Sequence, residues 1–157
     1  MDVVGHSFGA TVALRMAVLR PDLVRSLTMI EAVQFSVVAQ DKPEELAAER
    51  ERSAPFHEAL SRGEFENAAR IFNRGWGDAR GPKWADLPAP LRQAMIRGVQ
   101  IVPACSPSII DDLPGLMAPG GLDDVTMPFL LLRGEHCEDI IACVNQGLAQ
   151  RCSLAVS

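Results

Sequence analysis

The chain has 157 residues, of which 48% are hydrophobic and 22% are charged, so we expect a single domain with a sizeable core. A formal charge of -5 argues against a nucleic-acid partner, because phosphate binding needs a broad basic face. The sequence has no apolar run long enough for a membrane helix and does not open like a secretory signal. We therefore expect a soluble, cytoplasmic protein that binds neither nucleic acid nor membrane.

The start of the chain predicts a strand, a turn, a helix and a second strand. Residues 1–4 are a short β-rich run that stops at Gly5, and residues 10–19 suit a helix ended by Pro21. That helix is apolar on nearly every side and is expected to be buried. Residues 26–30 form the second strand, and the short distance between the strands indicates a parallel βαβ unit.

Residues 34–124 change in character to charged helical segments and loops. They predict an insertion or cap on a core formed by residues 1–33 and 125–157.

Three helices are predicted within this cap. Asp41 is expected to cap a helix that runs to about Ser53, with Glu44 completing a capping box. A second helix is predicted between Gly63 and Gly75 by apolar residues at helical spacing, namely Phe65, Ala68, Ala69 and Phe72. Residues 88–97 predict the third.

The last part of the chain returns to the core. Residues 127–132 are a continuous apolar run, which predicts a strand buried on both faces of a parallel sheet. Asp139 is expected to cap a following helix whose apolar residues are Ile140, Ile141, Val144 and Leu148. Residues 152–156 are typical of the beginning of another strand.

Neither a metal nor a cofactor is expected. The cysteines lack CxxC and zinc-ribbon spacing, so we expect free thiols at Cys105, Cys137, Cys143 and Cys152. His136 and its neighbours lie in one loop, and adjacent side chains rarely converge on one metal ion. Residues 5–10 do not fit the dinucleotide fingerprint, and no Walker-type lysine is present.

Residues 5–9 read Gly-His-Ser-Phe-Gly, a G-x-S-x-G motif between a predicted strand and a predicted helix. In that context the motif predicts a nucleophile elbow, a strained turn that raises the Ser7 hydroxyl at the carboxyl end of a strand. Glycines two positions before and after the serine leave room for the helix to approach the strand closely. The backbone N–H of Phe8, at the helix N-terminus, is placed to donate to an oxyanion.

Residues 2–10 and 20–27 resemble the elbow, helix and next strand of α/β-hydrolase-fold serine hydrolases. Residues 127–135 are similar to the seventh core strand of that family, and residues 34–124 lie where it carries its helical cap. The resemblance implies an α/β fold, a partial α/β-hydrolase fold with a parallel sheet and a helical cap insertion.

The resemblance also implies parts that this sequence lacks. Family members begin with earlier strands, including the loop that donates the second oxyanion N–H, and end with a last strand and the catalytic histidine. On this resemblance Met1 falls at the fifth strand and Ser157 falls inside the eighth. We therefore expect the chain alone to show little or no esterase turnover.

A serine nucleophile needs a histidine as its general base, and the sequence has three. His6 lies inside the elbow and is expected to be a packing residue. His57 lies in a charged helix and is expected to be solvated. His136 follows the seventh strand, but the family order of serine, acid and histidine places the base later in the chain.

Two places are open for the acid that orients the base. Glu31 closes the second strand, where some family members carry the acid, and is the preferred candidate. Its alternative role is to cap the next turn or to pair with an arginine. Glu135 and Asp139 are the other candidates, because Cys137 stands where most members carry an aspartate.

The expected activity is acyl transfer. Ser7 would attack the carbonyl carbon of a small-molecule ester, thioester or related substrate, and water would hydrolyse the acyl-enzyme. Two alternatives remain open: a carrier-protein thioesterase or acyltransferase, and a non-catalytic truncated remnant.

Overall fold

The computed structural model describes residues 1–76 and 82–152 in full, together with the backbone of residues 155–156. The chain divides into two compact units: Met1–Leu46 with Pro107–Ser157 form unit 1, and Ala47–Ser106 form unit 2. The predicted cap contains all of unit 2 and also parts of unit 1, and its boundaries stay a prediction.

Unit 1 contains a parallel sheet, as predicted. Its four strands lie in the order β1 (Asp2–His6), β2 (Ser26–Ile30), β3 (Phe129–Leu132) and β4 (Ala155–Val156). Because the strands are parallel, their carboxyl ends meet at one edge of the sheet. His6, Ile30 and Leu132 are the last residues of the first three strands at that edge.

The helices of the described part of the chain number seven. They are α1 (Phe8–Leu19), α2 (Phe35–Asp41), α3 (Pro43–Ser61), α4 (Phe65–Trp76), α5 (Ala89–Gly98), α6 (Val102–Ile109) and α7 (Asp139–Arg151). Helices α2 and α6 were not among the predicted elements. None of the seven is both long and apolar enough to cross a membrane.

One face of the sheet carries the core of unit 1. The register sets Leu27 beside Phe129 and Met29 beside Leu131, and all four side chains are buried. Leu132 points to the opposite face and is 42% exposed. The prediction that this strand is buried on both faces is therefore wrong, because only alternate residues meet the core.

Helix α1 is buried on one side only, which corrects the prediction that nearly every side is covered. Ala10, Leu14 and Ala17 are buried, in a helix that packs on β1 and β2. Val12 is 53% exposed, and Leu19 is exposed as well. Helix α1 therefore carries more apolar residues than its packing on the sheet buries.

The predicted capping box at Asp41 is wrong. Asp41 ends α2, and its carboxylate accepts two hydrogen bonds of 2.7 Å from the Arg151 guanidinium. This partner holds the pKa of Asp41 below its ordinary value. Helix α3 begins at Pro43 and continues past Ser53 to Ser61.

Helix α7 confirms the helix predicted after the third strand, with all four expected apolar residues buried. Asp139 is its first residue and does not cap it; Glu138 precedes the helix and makes no side-chain cap bond. Cys152 follows the helix, and burial raises the pKa of its thiol to about 11. All four cysteines are free, as expected.

Unit 2 confirms the second and third predicted cap helices as α4 and α5. Its buried cluster consists of Phe56, Ala59, Ala68, Ala69 and Val99. Gly63 lies between α3 and α4 with φ +73°, a backbone conformation that suits glycine. Gly75 lies inside α4 and not after it.

Candidate active site

Ser7 lies in a sharp turn between β1 and α1, as the motif predicts. Its backbone has φ 53° and ψ -126°, a region that non-glycine residues seldom occupy. Two backbone hydrogen bonds hold it there: the Ser7 N–H donates to Ile30 O at 2.9 Å, and the Ala10 N–H donates to Ser7 O at 3.0 Å. Its hydroxyl makes no capping bond to the helix.

The two motif glycines have different roles in the structure. A Cβ on Gly5 would lie 2.6 Å from Ala10 Cα and closer still to the Gly9 carbonyl oxygen. These are backbone atoms, so only glycine fits beneath the helix at this position. A Cβ on Gly9 would meet nothing within 4 Å, so the expectation of close approach is wrong there. Gly9 lies in the exposed first turn of α1.

Phe8 is the first residue of α1. An N–H group in the first turn of a helix has no acceptor within the helix, and the helix dipole places partial positive charge around it. The Phe8 N–H therefore belongs to the positive end of a 12-residue helix, directly after Ser7. This is the arrangement that could stabilise a negative oxygen beside the serine.

Glu31 follows β2 at the same edge of the sheet as Ser7. The Gly134 N–H donates to Glu31 Oε1 at 3.1 Å, and His6 Nε2 lies 3.6 Å from Glu31 Oε2. The Glu31 backbone has φ 49°, and its N–H donates to Leu132 O at 2.9 Å. Among the described residues Glu31 thus pairs with a histidine, and not with an arginine.

Gly134 lies at the same carboxyl edge of the sheet as Glu31, and the sequence alone did not single it out. A Cβ on Gly134 would lie 2.9 Å from Glu31 Oε1, so a larger residue would displace the carboxylate. The signal in the sequence is a glycine shortly after a buried strand, which permits a close approach.

His6 corrects the expectation that it is a packing residue. Its side chain is 66% exposed, and the contact that it makes is with Glu31. His57 is exposed, as expected, with its ring edge-on to Phe56 at a centroid distance of 5.1 Å. His136 is exposed in the loop after β3.

The other two carboxylate candidates take no part in these contacts. Glu135 and Asp139 are exposed, and neither side chain takes part in a hydrogen bond or ion pair with the described residues. Cys137 Sγ lies 3.6 Å from the Arg133 guanidinium, and its N–H donates to Gly134 O at 3.3 Å. Glu135 follows β3 at the same edge as Glu31, but of the three candidates only Glu31 has side-chain partners among the described residues.

Within residues 1–76 and 82–152, no group of three or more histidine, cysteine or acidic side chains is arranged to hold a metal ion.

The charged cluster at the opposite end of β1 joins Asp2 to Arg25 and to the Ser26 hydroxyl. These two partners keep the pKa of Asp2 well below its usual range.

We found no match for this chain among the curated proteins or among the solved structures. The model of one family, described as the alpha/beta hydrolase family, matches residues 2–151. That match covers β1, β2 and β3, the serine turn and Glu31. The chain belongs to the alpha/beta hydrolase family.

Proposed function

We propose that this protein is a serine hydrolase in which Ser7 attacks an ester, thioester or related carbonyl and forms an acyl-enzyme. The observation that carries the proposal is the backbone of Ser7. Its φ of 53° lies at the junction of a parallel strand and a helix, where strain is tolerated when the surroundings hold it in place. The Ser7 hydroxyl makes no capping bond to α1, which supports its role as a free nucleophile at the end of the strand.

The chemical roles follow from the positions. The Ser7 oxygen forms the new bond to the carbonyl carbon, and the carbonyl oxygen gains the negative charge. The Phe8 N–H at the start of α1 is the donor proposed for that charge. The alcohol or thiol of the substrate leaves with a proton, and water then releases the acid from Ser7.

Glu31 is proposed as the acid that orients the general base. A carboxylate in this role accepts a hydrogen bond from the base imidazole and stabilises its positive form. Glu31 supports the proposal because it is anchored at the sheet edge by Gly134, whereas Glu135 and Asp139 show no such anchoring among the described residues.

Acylation by p-nitrophenyl acetate tests the function. We expect one acetyl group on the peptide that contains Ser7, found by mass spectrometry, and none on that peptide in Ser7→Ala. Acetylation confined to other residues, or equal in the urea-unfolded chain, would contradict the proposal. Comparing water with a carrier thiol as the acceptor separates hydrolysis from acyl transfer.

A further inference from the structure

His6 is the last residue of β1 and precedes Ser7 directly. Its side chain is 66% exposed, so burial does not hold it in place. In the sheet His6 is paired with Ile30, the residue before Glu31. The register of two strands therefore brings together a histidine and a glutamate that lie far apart in sequence.

The two oxygens of Glu31 have different partners. Oε1 accepts the Gly134 N–H at 3.1 Å, and Oε2 lies 3.6 Å from His6 Nε2. Each of the first three strands thus supplies one group at its carboxyl end: a histidine, a carboxylate and a backbone amide. The Glu31 side chain is 35% exposed, so without a second partner its carboxylate could rotate into solvent.

We propose that His6 is a positioning residue that fixes the Glu31 carboxylate from the side opposite to Gly134. The 3.6 Å separation is longer than a hydrogen bond, so the imidazole attracts the carboxylate by charge, in its protonated form. This role rests on the function proposed above, because the orientation of Glu31 matters for acyl transfer only if Ser7 is the nucleophile. In that reaction His6 acts through Glu31 and does not touch the substrate.

Hydrogen exchange at the Gly134 amide measures the position of the carboxylate without reference to activity. In the full chain, Glu31→Ala removes the acceptor and sets the lowest protection expected for this amide. We expect His6→Ala to lower the protection of Gly134 by roughly two- to fivefold, since an exposed ion pair contributes little and the hydrogen bond then forms less of the time. His57→Ala, a control in unit 2, should leave it at the wild-type value.

Rescue by a charged side chain separates positioning from a general structural effect. His6→Lys carries a positive charge within reach of the carboxylate and should restore the protection. His6→Gln has no charge and should behave like His6→Ala; this pair also decides the question if His6→Ala does not fold. Wild-type protection in both His6→Ala and His6→Gln would overturn the proposal, as would a failure of His6→Lys to restore it.

Fluorophosphonate labelling at Ser7 distinguishes the two proposals, because it reports on the nucleophile while the Gly134 exchange reports on Glu31. If Ser7 is not labelled in the wild-type chain, the proposed function fails while the exchange data still decide how Glu31 is held. If Ser7 is labelled and the exchange is unchanged in His6→Ala, the proposed function stands and the positioning role of His6 fails.

Discussion

The strain at Ser7 can be measured by comparing Ser7→Gly with Ser7→Ala. Both variants remove the hydroxyl, and only alanine keeps the Cβ. A non-glycine residue in a sparsely populated backbone region costs about 1 to 3 kcal/mol, and glycine at φ 53° avoids that cost. Glycine also gives the unfolded chain more freedom, which costs about 0.4 to 1 kcal/mol of stability. We therefore expect Ser7→Gly to be more stable than Ser7→Ala by up to about 2.6 kcal/mol.

Urea unfolding followed by circular dichroism gives the two free energies of unfolding. The same pair of substitutions at Ser26 is the control, because Ser26 lies in β2 and has no positive φ. There alanine should be the more stable residue, by about 0.5 to 1 kcal/mol. If Ser7→Ala is more stable than Ser7→Gly by the margin found at Ser26, the turn is not strained, and the physical basis for placing the nucleophile there is wrong.

Three further substitutions test the packing of the site and an ion pair of unit 1. Gly5→Ala should destabilise the chain by about 1 to 3 kcal/mol because its Cβ would meet fixed backbone atoms. Gly9→Ala should instead increase the stability by up to about 1 kcal/mol, from helix propensity. Equal melting temperatures for the two variants would contradict this difference in packing. The Asp41 pKa is lowered in the folded chain, so the Arg151 pair stabilises the fold above the ordinary carboxyl pKa, and that stability is lost as pH falls through the lowered value. The free energy of unfolding of the wild type should exceed that of Asp41→Asn by at most about 1 kcal/mol at neutral pH, since the pair is partly exposed. This difference should vanish in acid. A difference that is independent of pH would refute the role of the Asp41–Arg151 pair.

The beginning of the fold could be predicted because its signals are local. Residues 1–30 contain two β-rich runs, a helix pattern and a turn motif, and these fix β1, α1 and β2 without distant partners. Phe35–Asp41 was missed for the opposite reason. This short helix is buried at four successive residues against the rest of unit 1, so it shows no helical alternation in its sequence.

The candidate site was predictable only in part. The motif identified Ser7 and Phe8 from residue types and spacing, and the end of an apolar strand identified Glu31. The pairing of Glu31 with His6 and Gly134 depends on how three strands are aligned, which the local sequence does not encode. Asp41 shows the same limit of local reasoning, because its partner Arg151 lies in another part of the chain and outweighs the capping pattern.

The nucleophilic character of Ser7 is the central claim, and covalent labelling by a fluorophosphonate tests it most directly. The folded chain should be labelled at Ser7, faster than at Ser26 and faster than the urea-unfolded chain, because the helix N-terminus beside Ser7 stabilises the developing negative charge. Peptide mass spectrometry identifies the labelled serine, and Ser7→Ala should abolish the adduct. Labelling of Ser7 at the rate of the unfolded chain, or no labelling at Ser7, would contradict the account.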